Sequence, residues 1–241
     1  MTRHILTIFA HPDDAETAAG GTLLKWASEG ARLTLCLLTP GDKGTNDPHD
    51  TREAVVERRR GEQARAAARL GADVITLGFE DGMLQPSLEL RREIVRVVRA
   101  VRPDVVVAND PTTWFRHGIY INHPDHRIAG QGVVEALYPA VKKPGIFPEL
   151  LAEGLQPHVV AEVWLALTDE PDTWVDIAPF LDAKIDLICE HASQFPRGYT
   201  DRAFRRFAGE NGGPRGLAAA ESFRVLRLAA STVKALAEAG D

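Results

Sequence analysis

The chain has 241 residues, 44% of them hydrophobic and 26% charged, and its formal net charge is −6 at pH 7. We expect residues 1–241 to form a single domain around one large core. No run reaches the roughly 18 consecutive apolar residues of a membrane span, and no signal peptide is expected. The acidic balance, without a basic tail, argues against nucleic acid as a partner. Cys36 and Cys189 are interpreted as buried free thiols, which favours a cytoplasmic location.

The first half of the chain predicts alternating strands and helices. Continuous apolar runs predict strands at 4–10, 31–39, 73–77 and 104–108. Helices are predicted from Gly20-Gly21-Thr22 to about Glu29, over 51–70 and over 87–101. Strands that are apolar throughout are typical of a parallel sheet covered by helices on both faces. The sequence therefore predicts an α/β fold, a Rossmann-like three-layer sandwich with a mostly parallel sheet.

The second half predicts a smaller C-terminal portion of strands and helices. Residues 139–158 and 196–217 are rich in loop-forming residues and are predicted to be irregular, the second of them mobile. The regular elements predicted here are a helix over 127–138, strands at 159–168 and 173–177, a helix over 179–194 and a strand–helix pair over 222–238.

One imidazole and two adjacent carboxylates follow the first strand, in the sequence His11-Pro12-Asp13-Asp14. Two neighbouring carboxylates are costly to keep ionised in one pocket unless a compensating charge is present. A divalent cation would supply that charge. Because Asp13 and Asp14 cannot easily point the same way on an extended turn, one can bind metal while the other faces the attacking water. The alternative is a solvated loop or a helix cap.

A second cluster, Asn122-His123-Pro124-Asp125-His126, follows the strand that ends at residue 108. Ligands in α/β sheets bind beyond the carboxyl ends of the strands, which is where both clusters are expected. Three protein ligands with an open position are typical of a catalytic metal site, and this set of donors suits zinc or ferrous iron. Each motif alone is more often structural, but the pair favours catalysis.

This pair of motifs resembles the PIG-L/LmbE family of zinc-dependent N-acetylglucosamine deacetylases, which includes the deacetylases of the mycothiol and bacillithiol pathways. The resemblance implies that His11, Asp14 and His126 bind Zn²⁺, with Fe²⁺ or another divalent metal as alternatives. Further matches are Gly20-Gly21-Thr22, residues 39–45, Arg59-x-x-Glu62, Leu70-Gly71, Lys184, His191-x-Ser193-Gln194 and residues 220–223.

The same resemblance implies catalytic roles for three residues. Asp13 would be the general base, His123 would stabilise the oxyanion and protonate the leaving amine, and Asp125 would orient His123. One departure concerns the tyrosine that many members carry just before the second motif. Ile121 stands at that position here, and Tyr120 comes one residue earlier.

The implied activity is removal of an N-acetyl group from an N-acetylglucosamine-type sugar or glycoconjugate. Two alternatives are a metal-dependent amidase acting on a thiol conjugate or secondary-metabolite intermediate, and a non-catalytic nucleotide-binding protein. The absence of a Gly-x-Gly-x-x-Gly motif after the first strand argues against the last. The expected partner is a small amino sugar, and the family resemblance suggests a trimer or hexamer. Candidate substrate contacts are Arg59, Asp42, Lys43, Tyr120, Asn122 and Gln194.

Overall fold

The structure is a computed structural model that describes residues 2–116 and 120–228. Its strands are β1 (His4–Phe9), β2 (Arg32–Leu37), β3 (Asp73–Thr76), β4 (Val105–Asn109), β5 (Phe115–Arg116), β6 (Tyr120–Ile121), β7 (Glu162–Ala166), β8 (Thr173–Asp176) and β9 (Ala220–Arg227). Its α-helices are α1 (Asp14–Ser28), α2 (Arg52–Leu70), α3 (Leu88–Val101), α4 (Pro124–Leu137), α5 (Glu149–Ala152), α6 (Leu181–Ile188) and α7 (Arg197–Gly212). Within these ranges, no helix combines the length and apolar content that crossing a bilayer requires.

Seven strands form one mixed sheet in the order β3-β2-β1-β4-β7-β9-β8. The first five are parallel, whereas β9 runs antiparallel to both β7 and β8. The predicted α/β fold with a mostly parallel sheet is confirmed, and β8 and β9 form its smaller C-terminal portion. Since β2, β1 and β4 are parallel neighbours, the loops that leave their carboxyl ends meet at one edge of the sheet.

Both faces of the sheet are covered by apolar side chains. Along β1, Ile5 and Phe9 pack into a cluster with residues of α1, α2 and α6. The alternate residues Leu6 and Ile8 pack into a second cluster with residues of α3 and α4. Because successive strand residues point to opposite faces, a strand buried on both sides must be apolar throughout, which is the pattern that the sequence carries.

The first helix begins earlier than predicted. It starts at Asp14, so Gly20 and Gly21 lie inside the helix and do not open it. A Cβ atom on Gly21 would lie 2.7 Å from Cγ2 of Ile177, so this glycine allows close packing against the link between β8 and α6. The motif at residues 20–22 is therefore a packing site inside the helix, and the predicted helix start is wrong.

The prediction of a mobile loop over 196–217 is wrong, because α7 occupies most of it. The buried residues of this helix, Thr200, Ala208 and Gly212, lie on one face at multiples of four residues. On the exposed side, Arg206 pairs with Glu210 at a spacing of four residues, which supports the helix. The glycine and arginine content obscured this weak periodicity.

Two other helix boundaries differ from the prediction. The helix predicted over 127–138 starts at Pro124, since proline is favoured in the first turn. The helix predicted over 179–194 ends at Ile188, and the chain then turns so that Ser193 donates two hydrogen bonds to Glu62 of α2, both at 2.8 Å. Residues 139–158 are mostly irregular, with a short 3-10 turn and α5. The helix predicted to end at 238 lies outside the described residues.

A buried ion pair joins the C-terminal strand β9 to α6. Lys184 Nζ donates to Glu221 Oε1 at 2.5 Å, and both side chains are almost fully buried. The Glu221 carboxylate also accepts the main-chain N–H groups of Gly21 and Thr22, and the Thr22 hydroxyl. Three motifs that are distant in sequence therefore meet at one buried network.

Candidate metal centre

Two imidazoles and one carboxylate converge at the carboxyl edge of the sheet. His11 and Asp14 lie where β1 gives way to α1, and His126 lies in the first turn of α4. The Nδ1 atom of His11 is 3.3 Å from Nε2 of His126 and 3.4 Å from Oδ2 of Asp14. The Nε2 atom of His126 is 3.1 Å from Oδ1 of Asp14. Two imidazole nitrogens and the Asp14 carboxylate, which faces each nitrogen with a different oxygen, therefore form the corners of a small triangle.

The size of this triangle fits a tetrahedral metal ion. Donors about 2.0–2.1 Å from a zinc ion lie about 3.3–3.4 Å apart in tetrahedral geometry. The observed separations of 3.1–3.4 Å are close to this value. Two overlapping sets of possible ligands lie around it within the described residues, His11 with His123 and His126, and His11 with Asp81 and Asp125, and the ligand atoms of each set lie within 4.8 Å of one another. This cluster of histidines and aspartates could hold a metal ion.

The far nitrogens of His11 and His126 are hydrogen-bonded to the surrounding protein. His11 Nε2 lies 3.0 Å from Asp81 Oδ1 and 3.3 Å from Asp125 Oδ2. His126 Nδ1 lies 3.2 Å from Oδ1 of Asn122. These contacts orient both rings so that His11 Nδ1 and His126 Nε2 face the triangle. Metal-binding histidines are typically fixed in this way.

The turn between β1 and α1 separates the two adjacent carboxylates. Asp13 is the residue before α1 and has a left-handed backbone, with φ of 93° and ψ of −24°. Its Oδ2 atom accepts a hydrogen bond from the buried Arg59 at 2.6 Å, and its main-chain N–H points to Gln63 Oε1 at 3.4 Å. Asp14 Oδ2 instead accepts the main-chain N–H of His11 at 2.9 Å. Asp13 therefore lies beside the triangle while Asp14 belongs to it.

The electrostatics distinguish these two carboxylates. Burial, and next the charge of Asp14, raise the pKa of Asp13 to about 7. Burial also opposes ionisation of Asp14, but His126 and His11 hold its pKa well below the usual range. Burial would lower the pKa of His11, but Asp125, Asp14 and Asp81 outweigh it and raise that pKa to about 12. These carboxylates thus stabilise positive charge at the position that a metal would take.

His123 has its ring next to His11, with centroids 4.8 Å apart. Its Nδ1 atom accepts the main-chain N–H of Asp125 at 3.2 Å, as the cap of α4. Burial and the neighbouring His11 and His126 lower the pKa of His123. These features favour a neutral imidazole that carries its proton on Nε2.

Asp125, which was expected to orient His123, reaches that ring through its main-chain N–H, whereas its carboxylate contacts other groups. The Asp125 carboxylate contacts His11 Nε2 and accepts the main-chain N–H groups of Gly82 at 2.7 Å and Leu84 at 3.3 Å. Asp125 therefore orients His11 and the loop after β3. Asp81, which the sequence reasoning missed, shares this role, and its position after a parallel strand is the signal that could have revealed it.

Several candidate substrate contacts are engaged with protein atoms. Asn122 is buried, and its amide donates to the carbonyl of Thr113 while Oδ1 faces His126. Asp42 accepts a bond from Arg52 at 2.7 Å. Asn122 thus contacts a proposed metal ligand and Asp42 pairs with Arg52, and the roles of both as substrate contacts stay predictions.

The remaining candidates lie nearer the surface, apart from the buried Arg59. Lys43 pairs with Glu80 at 2.7 Å, and its side chain is half-exposed. Gln194 donates to the carbonyl of Gly44 at 2.7 Å. Tyr120 is exposed on β6, next to the more exposed Ile121. The structure therefore does not bring all the predicted contacts together at the metal cluster.

Residues 6–137 match the family described as PIG-L, GlcNAc-PI de-N-acetylase. The matched segment is more than half of the chain and includes both His-Pro-Asp motifs. This chain belongs to the PIG-L family. The resemblance inferred from the two motifs is therefore confirmed.

Named relatives agree with this membership. The chain is 37% identical over 195 residues to a diacetylchitobiose deacetylase of Thermococcus kodakarensis. The aligned region covers 80% of this chain and 71% of the relative. It is 30% identical over 207 residues to a probable N-acetyl-alpha-D-glucosaminyl L-malate deacetylase 2 of Bacillus anthracis. The aligned region covers 83% of this chain and 84% of that relative. The solved N,N'-diacetylchitobiose deacetylase of Pyrococcus horikoshii superposes with a TM-score of 0.87 at 29% identity, over 93% of this chain and 84% of that one.

Proposed function

We propose that this PIG-L chain hydrolyses the acetamido group of an N-acetylglucosamine-type sugar or glycoconjugate, with Zn²⁺ held by His11, Asp14 and His126. The observation that carries the proposal is the triangle of donors beside a separate carboxylate, Asp13. The relatives named as deacetylases of diacetylchitobiose and of a GlcNAc malate conjugate support the substrate class. Two imidazoles and one carboxylate suit zinc, and ferrous iron is the alternative.

The Asp13 carboxylate accepts the proton of the attacking water in this proposal. A bound Zn²⁺ would lower the pKa of that water to about 7 and polarise the amide carbonyl. Burial raises the pKa of Asp13 above its usual range, which favours proton uptake by a base that works near neutral pH. Since neutral imidazole is a weak acid, protonated Asp13 then returns the proton to the leaving amine. This differs from the role expected for His123.

His123 stabilises the developing oxyanion in this mechanism. Its Nδ1 atom is engaged as an acceptor, so the Nε2–H group is the donor that remains for the substrate oxygen. Hydrogen-bond donors fixed before the reaction stabilise such charge effectively because they need no rearrangement. The position of His123 at the start of α4 keeps this ring fixed.

The start of α1 argues against the nucleotide-binding alternative. In dinucleotide-binding folds the pyrophosphate lies at the N-terminus of this helix, next to free N–H groups. Here the first turn contains the buried carboxylates of Asp14 and Glu16. Negative charge at this position would repel a phosphate.

Acetate release from defined compounds tests the proposal. We would incubate the zinc-loaded protein with N,N'-diacetylchitobiose, a GlcNAc malate conjugate and N-acetylated thiol conjugates, with chelator-treated protein as the control. Metal-dependent acetate release from the first two compounds is expected. Release from the thiol conjugates alone would favour the other amidase, and no release from any compound would contradict the proposed function. A single domain, a trimer or hexamer and a cytoplasmic location stay predictions.

A further inference from the structure

The buried Arg59 holds the residue that precedes α1. Its side chain is 5% exposed, and Nη2 donates to the carbonyl of Pro12 and to Oδ2 of Asp13, both at 2.6 Å. One turn further along α2, Gln63 Oε1 faces the main-chain N–H of Asp13 at 3.4 Å. Residues at this spacing lie on the same helix face. Both sides of Asp13 are therefore held from one face of α2.

The loop after β2 closes tightly over the Arg59 guanidinium. Nη1 donates to the carbonyl of Gly41 at 3.3 Å. A Cβ atom on Gly41 would lie 2.3 Å from Nη1, and one on Gly44 would lie 2.5 Å from the same nitrogen. These separations leave no room for a side chain at either position. Both glycines thus make space for the guanidinium, which lies enclosed between the loop and Asp13.

The backbone of Asp13 needs such support. A left-handed conformation is unfavourable for a residue with a side chain, and it persists only where its surroundings enforce it. If Asp13 relaxed to an ordinary conformation, its carboxylate would leave the place it occupies beside Asp14. Within the described residues, the hydrogen bonds of this carboxylate are made by Oδ2 to Arg59. In this arrangement, Oδ1 is the oxygen that can accept the proton of the attacking water.

We propose that Arg59, enclosed by Gly41 and Gly44, is a positioning residue that keeps Asp13 in its left-handed conformation and aims its carboxylate as the base. This deepens the proposed deacetylase function and rests on it. It replaces the role in substrate binding that the sequence suggested for Arg59. A positioning role predicts a loss of kcat, whereas a substrate contact predicts a rise in KM.

The test compares Arg59→Ala with Arg60→Ala in the full-length, zinc-loaded protein. Arg60 is the next residue of the same helix, and its side chain is 74% exposed. We expect Arg59→Ala to lower kcat about 100-fold with KM and zinc content unchanged, since a displacement near 1 Å can cost this much. Arg60→Ala should resemble the wild type. Millimolar guanidinium, far below denaturing concentrations, should restore part of the activity of Arg59→Ala alone.

A second pair of variants covers the case in which Arg59→Ala does not fold. Gly44→Ala should lower kcat by displacing the guanidinium, while Gly145→Ala should not, because a Cβ atom there would meet nothing within 4 Å. A rise in KM with kcat unchanged, or loss of zinc from folded Arg59→Ala, would overturn the proposal. If the wild type released no acetate, the proposed function would fail. A crystal structure of Arg59→Ala or Gly44→Ala would then decide, since an unmoved Asp13 would refute the positioning role.

Discussion

The Nδ1 atom of His123 accepts the main-chain N–H of Asp125 at 3.2 Å. This single bond links the start of α4 to the chemistry of the site, because it satisfies one of the free N–H groups of the helix and defines the tautomer of the ring. An acceptor nitrogen carries no proton, so the proton of the neutral ring is on Nε2. The fold thereby determines which atom of His123 can donate to a substrate.

The two roles of His123, as the cap of α4 and as a hydrogen-bond donor to the substrate, predict separable effects of two substitutions. His123→Ala should lose the helix cap, which lowers the free energy of unfolding by about 1 kcal/mol. It should also lose the oxyanion donor, which lowers kcat about 10²–10³-fold. His123→Asn should restore the cap, since asparagine is a good capping residue, but not the rate. Urea unfolding and acetate release measure the two effects. Full activity of His123→Asn would contradict the assigned donor.

The separation of the two adjacent carboxylates predicts opposite phenotypes. Asp13→Asn should keep zinc and lose about 10²–10⁴ in kcat, the usual contribution of a general base. Asp14→Asn should lose zinc, because its oxygens lie 3.1 and 3.4 Å from the two imidazole nitrogens. Zinc content, measured by mass spectrometry, and kcat, measured from acetate release, distinguish the two phenotypes. If Asp13→Asn were isolated without metal, the assignment of the two residues would be wrong.

The contacts of His11 Nε2 predict the effect of residues that do not touch the metal position. Asp81→Asn should weaken zinc binding about 10–100-fold, because the amide orients and polarises the ring less well. Asp73→Asn is the matched control, since that side chain is 64% exposed and pairs with Arg32 at the sheet edge. Competition with a chelator gives both affinities. Equal affinities in the two variants would show that Asp81 does not support His11.

The sequence predicted the parts of the site that follow from chain order. Two His-Pro-Asp motifs after parallel strands had to meet, because the carboxyl ends of neighbouring strands share one edge. The roles of neighbours in sequence were harder to predict. His123 and Asp125 are two residues apart at a helix start, where side chains at this spacing do not face each other. Asn122 and His126, at a spacing of four, do meet.

Contacts between segments that are distant in the sequence could not be predicted from residue patterns. Asp81, Arg59 and Gln63 come to the site from a loop and a helix whose placement depends on the packed sheet. The direction of Asp13 depends on one left-handed backbone conformation, which no residue type in the motif indicates, since aspartate only tolerates it. The helix at 197–212 was missed because its buried face consists of small residues.

The buried pair of Lys184 and Glu221 predicts a large effect on stability away from the metal cluster. Glu221→Gln leaves the Lys184 ammonium without its countercharge, and removing one partner of a buried pair costs about 3–5 kcal/mol. The amide also cannot accept the four hydrogen bonds that the carboxylate now accepts. Glu210→Gln is the matched control, because its partner Arg206 is 76% exposed and such pairs contribute about 0–1 kcal/mol.

Urea unfolding of the two variants, of Lys184→Met and of Lys184→Met/Glu221→Gln tests this assignment. The double variant should be less destabilised than the sum of the single changes, because it removes both charges together. Additive effects would mean that the two side chains do not interact, and a cost for Glu221→Gln equal to that of Glu210→Gln would contradict their burial. Zinc content should stay unchanged in all four variants, since the pair lies behind α1 and contacts none of the proposed ligands.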